Sequence, residues 1–225
     1  MAPAINLKPF FTPSSPPPPE SPYIQSIISH LSLQPHPEGG YFVETDRDTL
    51  RVPNPFDRSD PQSTRSASTS IHYLLTPSSP LGHFHRNRGR TVHTLHKGRG
   101  VYVLVHADEV AAKGCAGGYG GDGLGEKERW TSKARVEVFV VGMDLLKGER
   151  CQWLVEGGKY KCSYLLPDER DGNSSDGLLI SETVVPGFEY EDHDFMTKER
   201  LEALVLEGKA YPRFSEDPEH GSCSD

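Results

Sequence analysis

The sequence predicts an all-β domain whose sheets close into a barrel or stack as a sandwich. Three observations carry this. Nine short segments between positions 41 and 190 are rich in β-branched and aromatic residues. Gly, Pro, Asn or Asp separates them, and no helical pattern intervenes. Closure or double layering is what hides the open edges of so many strands.

The elements follow in order. Residues 1–19 are Pro-rich and lack a compact apolar face, which predicts an extended, disordered arm. Ser21 is placed to cap a helix with Pro22 in its first turn, and Tyr23, Ile24, Ile27, Ile28 and Leu31 recur at helical spacing. His30 on that helix reads as a surface or packing residue. The expected strands are YFVETDR, SASTSIHYLLT, LGHFHR, RTVHTLH, GVYVLVHAD, ARVEVFVVGM, CQWLVE, YKCSYLL and LLISETVVPGFEY. Two interruptions, residues 52–65 and 113–129, are full of breakers and charge and read as mobile loops. The glycines of the second do not precede a helix, which argues against phosphate cradling. Thr197 opens a closing helix that ends near Gly208. Residues 20–210 therefore form one domain, and residues 211–225, with His220, form a fraying tail.

The formal charge of −8 and the absence of a long basic run argue against a nucleic-acid partner. No apolar stretch approaches the roughly 20 residues of a membrane-spanning helix, and the start lacks a basic region followed by an apolar core, so a cytoplasmic protein, nuclear by diffusion, is expected. Cys115, Cys151, Cys162 and Cys223 show no Cys-x-x-Cys spacing, which argues against a zinc ribbon. Cys151 and Cys162 read as reduced, buried hydrophobes.

The main functional signal is a cluster of five histidines, His72, His83, His85, His93 and His96, on consecutive strands. Alternation in a strand points His83 and His85 to one face and Phe84 to the other. Two inward imidazoles want a metal, a hydrogen-bonded partner or a polar ligand. On the next strand Thr91, His93 and Leu95 share a face. His72 reads as core or pocket. Glu38 and Glu44, beside the first strand, are turn-forming carboxylates or pocket groups. His36 stiffens the approach to the barrel through Pro37. His193 reads as a surface residue, and Arg86 as pointing away from His85.

The segment GHFHRNRGRTVHTLHKGRG resembles the first cupin motif, with Gly98 as its closing glycine. QPHPEGGYFVETDRD upstream and ETVVPGFEYEDHDF downstream are similar to the Cupin-5 branch, domain of unknown function 985, of RmlC-like cupins. The likeness runs in order from about Leu31 to Leu206. It implies a double-stranded β-helix (jelly-roll) barrel, usually dimeric, with a pocket at one open end, and a short helix at each terminus. It implies no reaction, because cupins host epimerases, isomerases, dioxygenases, decarboxylases and storage proteins.

This chain also departs from the metal-binding cupin pattern. Thr91 stands where such a cupin carries its glutamate, and Lys161 stands near the last histidine slot. A divalent metal ion held by His83, His85 and His93 remains an open expectation. Without a metal, the same histidines form an acid/base pocket for a sugar or small carbonyl compound. The leading expectation is an isomerase- or epimerase-like enzyme with His85, His83 and His93 as catalytic residues. Lys161, Thr91, Glu44, Tyr41 and His72 would bind the substrate, and Lys161 or Arg90 would hold an anionic group. Tyr41, Tyr73, Tyr102 and Tyr160 are candidate acids. A metal-dependent oxidoreductase and a non-enzymatic binding module are the alternatives. Edge-strand exposure adds to the expectation of a homodimer.

Overall fold

A computed structural model describes residues 8–57, 59–113, 124–169 and 172–205. The expected tail 211–225, with Cys223 and His220, and Cys115 in the glycine-rich loop lie outside these residues. Two antiparallel sheets face each other. Thirteen strands are numbered in chain order: β1 Gln34–Pro35, β2 Tyr41–Arg47, β3 Arg51–Pro53, β4 Thr64–Ser66, β5 Thr69–Leu75, β6 Leu81–Arg86, β7 Arg90–Lys97, β8 Arg99–Val105, β9 Val136–Val141, β10 Gln152–Val155, β11 Tyr160–Leu166, β12 Leu178–Val185 and β13 Asp194–Phe195. The first sheet runs β1-β2-β5-β12-β7-β10 and the second β13-β6-β11-β8-β9. The strand order crosses back and forth through the sequence, as a jelly roll requires, and the all-β fold expected from the sequence is the fold found.

One apolar cluster lies between the sheets. Tyr73, Leu75, Leu95, Trp153, Val155 and Ile180 of the first sheet meet Tyr102, Leu104, Phe139, Val141 and Leu165 of the second. Phe11, from the Pro-rich segment, packs on this cluster. Each sheet is also covered outside. Helix α1, Pro22–His30, starts where the Ser21 hydroxyl accepts the Ile24 amide at 3.2 Å. It lays Ile24 against Leu74 on the first sheet. Helix α3, Lys198–Leu204, is capped by Thr197, and Leu204 packs with Phe84, Val103, Tyr160 and Met196 outside the second.

Two expected mobile loops carry structure. Strands β3 and β4 pair within residues 52–65 and their flanks, because Asn54 and Asp57 carboxyl and amide oxygens accept the loop's own backbone amides and satisfy its donors locally. In residues 113–129 a turn of helix, α2 (Glu126–Arg129), forms where Glu126 accepts Trp130 Nε1 at 3.1 Å and the Arg200 guanidinium at 2.6 Å.

Candidate functional site

Glu38 sits in the turn His-Pro-Glu-Gly-Gly, and the two glycines explain its position. Gly39 and Gly40 have φ of +98° and +70°, a region that L-residues with a Cβ rarely adopt. A Cβ on Gly39 would lie 2.1 Å from the Leu81 carbonyl oxygen. The turn therefore presses flat against β6, and the His83 amide donates to the Glu38 carbonyl at 2.7 Å. Glu38, 7% exposed, is a lining residue of a pocket.

There it meets two imidazoles. His193 Nε2 donates to Glu38 Oε1 at 2.7 Å, and His85 Nδ1 lies 3.1 Å from Glu38 Oε2. The two rings are stacked, with centroids 5.2 Å apart and planes 7° from parallel. Strand pairing brings them together: β13 runs beside β6, Phe195 opposite His85, and His193 directly precedes β13. His85 Nδ1 also lies 2.9 Å from the His83 carbonyl, so Nδ1 faces only acceptors and carries the proton, and Nε2 carries the lone pair. Burial pushes the His85 pKa down to about 3 against the pull of Glu38, so the ring is neutral at ordinary pH. Burial would raise Glu38, but His85, the His193 hydrogen bond and His36 outweigh it and hold the carboxyl below its usual range.

These groups open onto a pocket of about 280 Å³. Its walls are Phe42, Ile71, Tyr73, Val184, Phe188 and Phe195, with His36, Glu44, Arg47 and Tyr190 also contributing. Behind the Glu182 carboxylate a second polar group spans the sheets. Lys161 Nζ is 2.5 Å from Glu182 Oε2 and 3.1 Å from His93 Nε2. Burial would raise Glu182, yet Lys161 and His93 hold it well below the carboxylate range, and burial, then Lys161, lowers His93.

Several sequence expectations are corrected. His83 and His85 do not share the hollow, since His85 lines the pocket and His83 does not. On β6, His85 pairs with Lys161 and Gly82 with Ser163, so His83 and Phe84 together face one residue of β11. This bulge breaks the alternation on which the pairing of the two histidines was based. His83 serves through its backbone instead. His93 is buried in the barrel core, stacked on Trp153 at 5.0 Å, and is held by Lys161 and Glu182. The expected metal set of His83, His85 and His93 is therefore not assembled. Lys161 is neutralised by Glu182, and Arg90 by Glu156 at 3.0 Å on the surface, so neither is placed for an anionic group. Thr91 is buried on β7 outside the pocket lining. Tyr41 and His72 lie on the outer face of the first sheet: Tyr41 packs beneath α1 and bonds Glu20, and His72 meets His96. Glu44 does line the pocket, paired with Arg47. Tyr73 lines it too, but its hydroxyl donates to the Gly39 carbonyl, and burial pushes its pKa well above the usual value. Tyr102 is buried in the barrel core, and Tyr160 lies outside the second sheet with Asp194. Arg86 is fully buried on that outer face, in an ion pair with Asp194.

The sequence reading placed His193 on the surface and left Glu38 undecided, yet they are the centre of the site. The two glycines after Glu38 were a readable signal for a tight turn. Nothing local marks His193, whose role depends on β13 joining β6.

Glu38, His85 and His193 are the one group of three such donors within 4.8 Å of one another among the described residues. As arranged they are spaced as hydrogen-bond partners: Glu38 and His193 are 2.7 Å apart, inside the roughly 3.0 Å between neighbouring ligands about 2.1 Å from an octahedral ion and the roughly 3.4 Å of a tetrahedral one. The His85 nitrogen nearest Glu38 is the protonated one.

Comparison with known proteins agrees with the fold. The family described as Cupin superfamily (DUF985) matches residues 25–196. An uncharacterized protein of Saccharomyces cerevisiae, YML079W, is 41% identical over 213 residues, spanning 92% of this chain and 91% of the yeast protein. A hypothetical protein from Leishmania major superposes with a TM-score of 0.59 at 29% identity, over 84% of this chain and 98% of that one. Protein SO0799 from Shewanella oneidensis shares the fold at a TM-score of 0.55 and 24% identity, over 80% of this chain and 88% of its own. With its strand order, its HPEGG turn and this extent of match, the chain belongs to the DUF985 family of the cupin superfamily.

Proposed function

We propose that this cupin binds a small molecule and moves a proton on it, in the manner of an isomerase or epimerase, with His193 as the base. The single observation behind this is the 2.7 Å hydrogen bond from His193 Nε2 to the buried Glu38 carboxylate, at the end of a largely apolar pocket. A carboxylate on one ring nitrogen leaves the lone pair on Nδ1 and stabilises the imidazolium that forms when Nδ1 takes a proton. The proton would come from a hydroxyl-bearing carbon beside a carbonyl group; the C–H electron pair forms the C=C bond of an enediolate as the carbonyl π pair moves to oxygen, the hydroxyl proton passes to that oxygen, and Nδ1–H gives its proton to the former carbonyl carbon, which yields the isomer. His85, neutral and with its lone pair on Nε2, accepts a hydrogen bond from a substrate hydroxyl. A homodimer formed through the open sheet edges completes the proposal, and a sedimentation mass near one chain, 24.9 kDa, at micromolar concentration would contradict it.

The test is solvent exchange. The protein is incubated in D2O with a panel of aldoses, ketoses, amino sugars and small ketones, and deuterium uptake at carbon is read by mass spectrometry. Uptake that disappears in His193→Asn supports the reading. No uptake above the protein-free rate across the panel overturns it.

A further inference from the structure

The pocket is rich in hydrogen-bond acceptors and, among the described residues that line it, has no uncommitted cation. Arg47 is the one Lys or Arg among the described lining residues, and it is clasped by Glu44 at 2.8 and 3.0 Å and by Glu189 at 3.1 Å. Behind the lining, Lys161 is bound by Glu182 and Arg65 by Asp192 at 2.6 Å. The Glu182, Glu44 and Asp192 carboxylates are thus matched by permanent cations. Glu38 is not: its partners are imidazoles, and His85 among them is held neutral by burial. Glu38 is thus a lining carboxylate that hydrogen bonds satisfy but, among the described residues, no Lys or Arg pairs, and a ligand ammonium would find its negative charge uncancelled.

A second, independent feature points the same way. Asn87 lines the pocket, is 9% exposed, and its buried Oδ1 has no hydrogen-bond partner among the described residues. Buried amide oxygens are nearly always satisfied, so this one is an acceptor awaiting a donor. The walls add aromatic faces from Phe42, Phe188 and Phe195, surfaces that attract cations and stack on rings.

From the Glu38 carboxylate with no described Lys or Arg beside it, the unpartnered Asn87 oxygen and the committed cations we infer that the ligand is a small ring compound carrying a protonated amine, and not an anion such as a nucleotide sugar. This deepens the reading above, whose substrate it assigns to a class: an amine-bearing carbonyl compound or amino sugar.

Benzylamine, benzyl alcohol and benzoate share a ring and differ in charge, and they serve as probes on the intact protein by calorimetry at pH 7.5. The expected order is amine, alcohol, acid, with benzylamine at least about tenfold tighter than benzoate. A smaller preference, a reversed one, or no benzylamine binding at 10 mM-scale concentrations (about 10 mM, the weak end of specific affinity) overturns the assignment. In Glu38→Gln the preference falls below about threefold, as expected for losing a charge-assisted contact; a preference that survives shows that Glu38 does not read the charge and also overturns it. The charge series on the unaltered protein stands even where the variant does not fold. Failure of the proton-transfer reading looks different: amines bind with the expected order, yet no compound takes up deuterium.

Discussion

Glu38 and His193 stand 155 residues apart in the chain and 2.7 Å apart in the barrel mouth. The first is delivered by a glycine turn pressed on β6, and the second by a short strand at the edge of the same sheet. Removing the carboxylate while keeping its shape tests what the pair does. For any substrate found by solvent exchange, Glu38→Gln is expected to slow deuterium uptake by about 10²–10⁴-fold, the usual contribution of a positioned acid–base group. A change smaller than about tenfold would show that His193 does not need Glu38.

Gly39→Ala tests the turn. A Cβ there would sit 2.1 Å from the Leu81 carbonyl at a φ of +98°, and strain of this kind costs about 1–3 kcal/mol before any clash is counted. The expected outcome in denaturant unfolding is a clear loss of stability together with loss of ligand binding. Stability equal to the parent would mean that the turn relaxes freely.

Lys161 and Glu182 form an ion pair inside the barrel at 2.5 Å. Lys161→Met alone strands a buried carboxylate and is expected to destabilise by about 3–5 kcal/mol, whereas the double change Lys161→Met with Glu182→Leu recovers most of that loss. Equal stabilities of the single and double variants, measured by urea midpoint, would refute the account.

Stability should fall in acid, and the sign follows from His85. Its folded pKa, lowered to about 3 chiefly by burial, lies below the unfolded value of about 6.5. Between these values the unfolded chain binds the extra proton, so the contribution of neutral His85 is fully present above pH 6.5 and is lost as pH falls toward 3. Glu38, also lowered, adds loss in the same direction below its unfolded pKa. Thermal unfolding from pH 7.5 to 4.5 should show a falling midpoint, with a shallower slope in His85→Gln. An unchanged slope in that variant would remove His85 from the explanation.

Because Glu38, His85 and His193 are spaced as hydrogen-bond partners, treatment with a chelator is expected to leave the unfolding midpoint and benzylamine affinity unchanged. Elemental analysis showing one iron, nickel, manganese or zinc per chain, lost in His193→Asn, would reverse this and restore the metal reading.

The all-β fold was legible because strand content is a local property. Alternating segments such as β5 and β7, broken by Gly and Pro, specify their own extended backbone, and Ser21 and Thr197 cap their own helices. His85 was legible for the same reason, as a polar residue on an inward strand position. The site's composition was not legible. Strict alternation placed His83 beside His85, but a bulge is set by the pairing of β6 with β11, and no feature of β6 alone declares it. Lys161 gave no sign of being neutralised, because Glu182 lies on the other sheet and meets it only when the barrel closes. His193 gave none either, since β13 acquires meaning only by pairing with β6. The sequence by itself determined which residues are strands, turns and caps, since those depend on neighbours a few positions away. Tertiary structure decided which charges cancel and which imidazoles meet a carboxylate, because those energies depend on distances of about 3 Å between groups far apart in the chain.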